Sequence, residues 1–134
     1  PSEERINGKP YDLVAHLVHK DEAGKLAVVA VLFKSGQRNA ALAQVLDNMP
    51  IAASPEHTVA GTTINAAQLL PAKHGYYHFM GSLTTPPCSE GVSWYVLKTP
   101  VEVSAAQLKQ LRTLYHHNNR PVQPLNGREV VEHI

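Results

Sequence analysis

The feature that most constrains the fold of this chain is an unbroken apolar run, LAVVAVLF, at Leu26–Phe33. A run of this length, rich in β-branched residues, is typical of a strand that is buried on both faces of a sheet. The segment Tyr11–His19 also has a strand pattern, and the polar residues Asp21–Lys25 lie between the two. We therefore expect Tyr11–His19 and Leu26–Phe33 to form an antiparallel pair joined by a turn.

Shorter strand signals occur elsewhere along the chain. Asn7 and Gly8 form a dipeptide that strongly favours a two-residue hairpin. Tyr76–Met80 is aromatic, and Val92–Leu97 is alternating and β-branched, so each is predicted to be a strand. There is no βαβ rhythm and no glycine-rich phosphate loop, which disfavours the nucleotide-binding α/β folds.

Helix signals are fewer and lie between the strands. Asn39–Asn48 predicts a short helix, and Asn65–Leu70 predicts a short helical turn capped by its asparagine. Ser104–His117 is the strongest helix prediction, because Ser104 and Gln107 have the spacing of a capping box. The predicted fold class is therefore mainly β with peripheral helices.

Composition and charge exclude several classes of protein. A length of 134 residues fits one domain, and 43% apolar with 17% charged residues argues against a disordered chain. The net charge is +1 without a run of like charges, so nucleic-acid binding is not expected. No apolar run approaches the ~20 residues that cross a bilayer, so no membrane span is expected.

The loop Gly81–Trp94, GSLTTPPCSEGVSW, is the most specific motif, and we call it the signature loop. It places two hydroxyls, Thr84 and Thr85, directly before a double proline. Two consecutive prolines fix two φ angles and remove two backbone donors, so the loop is stiff and can hold a hydroxyl in one place. From the residues alone, these hydroxyls could equally cap a turn.

A histidine in the segment AHLVH is the second candidate for chemistry. Because strand side chains alternate, Val14, His16 and Val18 share one face, while His19 points to the other. His16 could be a metal ligand at the floor of an apolar pocket, or a hydrogen-bonded core or edge histidine. His19 is expected to be a structural, hydrogen-bonding residue.

Together, the signature loop and AHLVH closely resemble the α-class carbonic anhydrases, particularly the bacterial ones. The resemblance extends from Pro1 through the tail Asn118–Arg128 and implies part of a large, twisted, mostly antiparallel central sheet. In that family, two zinc ligands come from a His-x-His pair that lies just before the segment matching Pro1–Glu3. No His-x-His occurs here. The resemblance therefore implies that residues 1–134 are the C-terminal half of a single domain whose N-terminal half is absent from this chain.

The resemblance implies a role for each candidate residue. His16 matches the third zinc ligand, and Glu3 matches the carboxylate that accepts the hydrogen of Thr84. Thr84 then accepts a hydrogen bond from the zinc-bound hydroxide and points it at CO2, while Thr85 holds water or bicarbonate. The wall of the CO2 pocket is implied at five apolar positions, which by themselves would indicate a core: Val18, Val28, Leu83, Val92 and Trp94.

One position departs from the family pattern. Val14 stands where the family usually has a glutamate that holds the other ring nitrogen of the third histidine. Loss of such a partner typically lowers metal affinity or activity ~10–100-fold, although a backbone carbonyl or a water could substitute. We therefore expect even a complete version of this enzyme to hold zinc less tightly than its relatives.

The function implied by the resemblance is the zinc-dependent, reversible hydration of CO2 to bicarbonate and a proton, with inhibition by sulfonamides. Zinc (Zn2+) lowers the pKa of bound water to about 7, and the resulting hydroxide attacks CO2 in an apolar pocket. The implied partners are this small-molecule substrate and the missing N-terminal half or its chain; the resemblance also allows a homodimer. Two alternatives stay open: a non-catalytic, carbonic anhydrase-like binding or structural module, and an inactive fragment.

The single cysteine bears on localisation. Cys88 alone is typical of a buried small residue. By resemblance it is half of a disulfide with a cysteine near the N-terminus of the complete enzyme, which implies a periplasmic or secreted protein. The N-terminal PSEER shows no signal peptide, but a mature or shortened chain would have lost one.

Overall fold

The computed structural model describes all 134 residues, Pro1 to Ile134. It contains eight strands, two α-helices and one short 3-10 helix. In chain order these are β1 Arg5–Ile6, β2 Lys9–Pro10, β3 Leu13–Lys20, β4 Leu26–Ser35, α1 Ala40–Asp47, the 3-10 helix Ala66–Leu69, β5 Tyr76–Ser82, β6 Glu90–Leu97, β7 Val101–Val103, α2 Ala105–Leu114 and β8 Val131–His133. The prediction of a mainly β fold with peripheral helices is confirmed. Neither helix is long and apolar enough to cross a membrane.

The predicted antiparallel pair is present as β3 and β4, in register from Leu13 opposite Phe33 to Lys20 opposite Leu26. β3 begins two residues after the predicted start at Tyr11. The reason is that the backbone of Tyr11 pairs with Ser2 instead: Ser2 N donates to Tyr11 O at 2.8 Å, and Tyr11 N donates to Ser2 Oγ at 3.0 Å. The predicted hairpin is also present, with Asn7 and Gly8 at positive φ between β1 and β2.

The main sheet is mixed, with strand order β3-β4-β6-β5-β8 and β7 paired to the end of β4. Antiparallel pairings join β3 to β4 and β5 to both β6 and β8. β4 runs parallel to β6 and to β7. The strand β3 pairs with β4 alone, so its other edge is open.

The caps predicted at Asn65 and Ser104 are formed, and Asn39 caps α1 as well, but not all of the predicted helix ends are reached. The side chain of Asn39 accepts from Leu42 N at 2.9 Å at the start of α1. At the start of α2, the capping box of Ser104 and Gln107 is formed in both directions. α2 ends at Leu114, before the predicted end at His117, because the side chains that follow are exposed and no burial stabilises another turn.

Two apolar clusters lie on opposite faces of β4. On one face, Val31 and Phe33 pack with residues of both helices. On the other face, a second cluster is formed by strand residues, which are Val28, Ala30, Leu32, Val92, Trp94 and Val96. The prediction that β4 is buried on both faces is therefore confirmed. We call the face that packs with the helices the helix-covered face, and the face that carries the cluster of strand residues the site face.

Candidate active site

His16 lies on β3 on the site face, where its backbone is paired opposite Ala30 of β4. Its ring meets the indole of Trp94 edge-on, with centroids 4.8 Å apart and an interplanar angle of 83°. An edge-to-face contact of this kind is a favoured aromatic geometry and restricts how the imidazole can turn. The histidine is therefore set in an apolar wall, as a ligand at the floor of a pocket requires.

Four of the five predicted pocket residues belong to this wall. Val28 and Val92 are each 1% exposed, Trp94 is 4% exposed, and Leu83 packs against their cluster. Val18 shares a face with His16 and pairs with Val28, but it is 58% exposed beside the open edge of β3. The structure thus brings the five residues to one face of the sheet, and their contact with CO2 stays a prediction.

The signature loop is closed by its own hydrogen bonds. Leu83 N donates to Ser89 O at 2.9 Å, and Cys88 N donates to Thr85 O at 2.8 Å. The peptide bond between Pro86 and Pro87 is cis. Thr84 is half-buried and Thr85 is exposed, so the two hydroxyls have different environments on one stiff loop.

The loop is tied to the wall through Trp94. The indole Nε1–H donates to Ser82 O at 3.0 Å, near the start of the loop. A Cβ at Gly81 would lie 2.9 Å from Cδ1 of this indole, closer than real Cβ atoms approach. Glycine at position 81 therefore lets the backbone lie against Trp94, which fixes the loop relative to His16.

Glu3 and Thr84 line one cleft of about 810 Å3, together with Trp94 and the tail around Arg120. Oε2 of Glu3 accepts the backbone N–H of Arg120 at 3.0 Å. No hydrogen bond joins Glu3 to Thr84 in the structure, so that bond stays a prediction. Other predicted site residues do not line this cleft, among them His16, Val18 and Thr85. The predicted site residues therefore do not all face one cleft in this structure.

Glu4 is a site residue that the sequence reasoning missed. Its Oε1 lies 2.6 Å from Nε2 of His16, and both side chains are largely buried. The prediction that Val14 leaves this imidazole without a carboxylate partner is therefore wrong. The available signal was the adjacent pair Glu3 and Glu4, since neighbouring residues of an extended segment point to different sides.

Comparisons with known proteins assign the chain to a family. The family model of the eukaryotic-type carbonic anhydrases matches residues 1–134. The chain belongs to this family. The resemblance drawn from the signature loop and AHLVH is confirmed.

Individual relatives agree with that assignment. A carbonic anhydrase of Klebsiella pneumoniae is 49% identical over 133 residues, covering 98% of this chain and 54% of the relative. The α-carbonic anhydrase of Thermovibrio ammonificans, solved with the inhibitor sulfanilamide, has a TM-score of 0.91 and 47% identity over 97% of this chain and 57% of its own. A hyperthermostable carbonic anhydrase from a hydrothermal vent chimney has a TM-score of 0.93 and 44% identity over 100% of this chain and 60% of its own. This chain spans about half the length of the curated relatives it matches.

A carbonic anhydrase is expected to bind zinc, and one residue of this structure, His16, fits a ligand position. His16 fits one ligand position, because its Nε2 faces Glu4 and its Nδ1 is left for another partner. A catalytic zinc needs three protein ligands and an open position. The structure places no group of three or more His, Cys, Asp or Glu side chains where they could hold a metal ion.

Cys88 is a free, half-buried cysteine at positive φ in the signature loop. Since it is the only cysteine of the chain, the disulfide implied by the carbonic anhydrase resemblance needs a partner from outside residues 1–134. That disulfide, and the localisation it implies, stay predictions.

Proposed function

We propose that this chain is the C-terminal half of a single α-carbonic anhydrase domain, and that the complete protein catalyses the reversible hydration of CO2 to bicarbonate and a proton. The observation that carries the proposal is the setting of His16, whose Nε2 meets a carboxylate while its Nδ1 remains for a ligand, beside an apolar wall. Family membership over the whole chain, together with coverage of about half of each relative, supports the division into halves.

In this proposal His16 supplies one zinc ligand and the absent half supplies the other two. Zinc, when bound, provides a nucleophile at neutral pH by lowering the pKa of coordinated water. The imidazole can serve because the contact with Trp94 limits its rotation and the carboxylate of Glu4 engages Nε2. Ligand orientation by a hydrogen-bonded carboxylate is a general feature of histidine metal sites.

The apolar wall serves the substrate. CO2 is small, linear and uncharged, so it gains from an apolar surface rather than from a charged clamp. Val28, Val92 and Trp94 form the buried base of that surface, with Leu83 packed against it. Val18 extends the wall to the open edge of β3, where we propose that the absent half covers it.

The carboxylate of Glu3 and the hydroxyls of the signature loop are proposed to orient the reacting groups. One oxygen of Glu3 is fixed by the backbone N–H of Arg120, and its other oxygen has no partner in the structure. We propose that this second oxygen accepts the Thr84 hydroxyl hydrogen in the complete protein, which leaves the threonine oxygen as an acceptor only. A hydroxyl constrained in this way can orient a nucleophile without removing its proton. Thr85, exposed on the same loop, is proposed to hold water or bicarbonate.

The open edge of β3 is the proposed meeting point of the halves. Residues Leu13–Lys20 have backbone partners on one side only, and unpaired strand edges readily take up another strand. A strand of the absent half beside β3 would also bring its side chains next to His16. We further propose that Cys88 pairs with a cysteine of that half and that the protein is periplasmic or secreted.

A non-catalytic, carbonic anhydrase-like module is the second candidate function. The observation in its favour is that these residues alone do not assemble a metal site. It predicts that the complete protein binds no zinc. The two candidates therefore differ in a quantity that native mass spectrometry measures directly.

The deciding experiment uses the full-length protein that contains this chain. We expect native mass spectrometry to show one zinc per molecule and stopped-flow assays to show CO2 hydration. His16→Ala should lower both, because the metal loses one of three ligands. His57→Ala is the matched control, since His57 is an exposed loop histidine that should leave both unchanged. A full-length protein without zinc and without CO2 hydration would favour the non-catalytic module.

A further inference from the structure

We infer that Glu4 is the positioning residue for His16, supplying from outside β3 the carboxylate that Val14 cannot supply from within it. The inference rests on the proposed function, because positioning an imidazole matters when its other nitrogen binds a metal. The direct observation is the contact of 2.6 Å between Glu4 Oε1 and His16 Nε2.

The backbone around Glu4 is held in place by a buried serine. Ser2 is 4% exposed, and its Oγ donates to Glu4 O at 2.6 Å. Ser2 Oγ also accepts from Tyr11 N at 3.0 Å, and Ser2 N donates to Tyr11 O at 2.8 Å. The segment Ser2–Glu4 is therefore fastened to the chain that leads into β3, which sets the distance between the carboxylate and His16.

The contact determines which ring nitrogen carries the hydrogen. An ionised carboxylate accepts hydrogen bonds and donates none, so Nε2 of His16 must be the protonated nitrogen. In the neutral imidazole, Nδ1 then keeps its lone pair, which is the form that binds a metal. The edge-on indole of Trp94 holds the ring plane from a second direction.

Val14 cannot take this role because its side chain is apolar and carries no carboxylate. Its side chain packs with Ile6 and Tyr11 against the apolar cluster of the site face.

The Glu4 carboxylate also has a second oxygen, Oε2, which is buried and has no hydrogen-bond partner within the chain. Buried carboxylate oxygens are normally satisfied, so Oε2 is positioned to accept from a water or from the absent half. Glu4 would then link His16 to a donor that this chain does not contain.

The first test needs no substitution. In the metal-free, full-length protein labelled with 15N-histidine, we expect His16 to be in the Nε2–H tautomer. An Nδ1–H tautomer would overturn the inference, even if every variant of Glu4 failed to fold.

The second test measures zinc affinity by competition with a chelator. Glu4→Ala should weaken zinc binding about 10–100-fold relative to the wild type, and Glu22→Ala, in an exposed turn, should leave it unchanged. Adding Val14→Glu to Glu4→Ala should restore most of the affinity, because it returns a carboxylate to the strand of His16. Zinc affinity within twofold of wild type in Glu4→Ala would overturn the inference while the proposed function stood. A wild type that bound no zinc would overturn the proposed function itself.

Discussion

The two faces of β4 differ in how completely this chain covers them. On the helix-covered face, Phe33 and Val31 are fully buried under α1 and α2, and the cluster is closed by residues of the chain itself. On the site face, Val28 and Trp94 are buried, yet Val18 beside them is 58% exposed and β3 has an open edge. The chain's own residues thus close one face of β4, whereas the face on which we propose the chemistry is covered only in part.

The largest effect is expected when the chain is separated from the rest of the protein. Residues 1–134 alone should show no single cooperative thermal transition, because the open edge and the half-covered site face favour association with other chains. The full-length protein should unfold cooperatively under the same conditions. Calorimetry on both samples, with and without zinc, makes the comparison. A cooperative transition in the isolated chain would show that the site face needs no cover.

The two phenylalanines allow the faces to be compared within the full-length protein. Phe33→Ala removes a fully buried ring from the helix-covered face and should lower the free energy of unfolding by about 3–5 kcal/mol. Phe79→Ala removes a half-buried ring that packs against the site-face cluster, so its loss should be smaller. Denaturant unfolding measures both. Equal losses would contradict the difference between the faces.

The chemistry of the site face is tested by Thr84. Thr84→Ala should lower kcat/KM for CO2 hydration about 100-fold, equivalent to about 2.7 kcal/mol of transition-state stabilisation, because the hydroxyl that orients the nucleophile is lost. Stopped-flow kinetics provide the measurement. Thr84→Ser keeps the hydroxyl and should retain most of the activity. If Thr84→Ala stayed within threefold of wild type, the proposed orienting role would be wrong.

Local signals predicted most of the elements of this fold. The capping side chain of Ser104 indicated the start of α2, and the apolar run Leu26–Phe33 identified the central strand. The order of strands was not predictable in the same way. β4 and β6 are parallel neighbours although about 60 residues separate them along the chain, and no local pattern encodes that pairing. The strands Val101–Val103 and Val131–His133 are too short to give a periodic signal.

The site shows the same division between residues that local signals predict and contacts between distant segments that they do not. His16 and the apolar residues around Val28 and Trp94 were identified from face alternation and family resemblance, and the structure brings them to one face. The role of Glu4 was not predicted, because the family pattern has the carboxylate on the strand of His16. The partner instead comes from a segment 12 residues earlier that folds back through the contact of Ser2 with Tyr11. The exchange of position 14 for position 4 as the source of the carboxylate is evident from the three-dimensional structure but not from the order of residues.

The smallest effect is expected at the cap of α2, on the outer side of the helix-covered face. The hydroxyl of Ser104 accepts from Gln107 N at 3.2 Å and satisfies a donor that the first turn leaves free. Ser104→Ala in the full-length protein should lower the free energy of unfolding by about 1 kcal/mol. Denaturant unfolding checks this, with Ser54→Ala in an exposed loop as the control. Zinc affinity should not change in either variant, because α2 supports the face opposite to His16. A loss of zinc affinity in Ser104→Ala would mean that the two faces of β4 are coupled rather than independent.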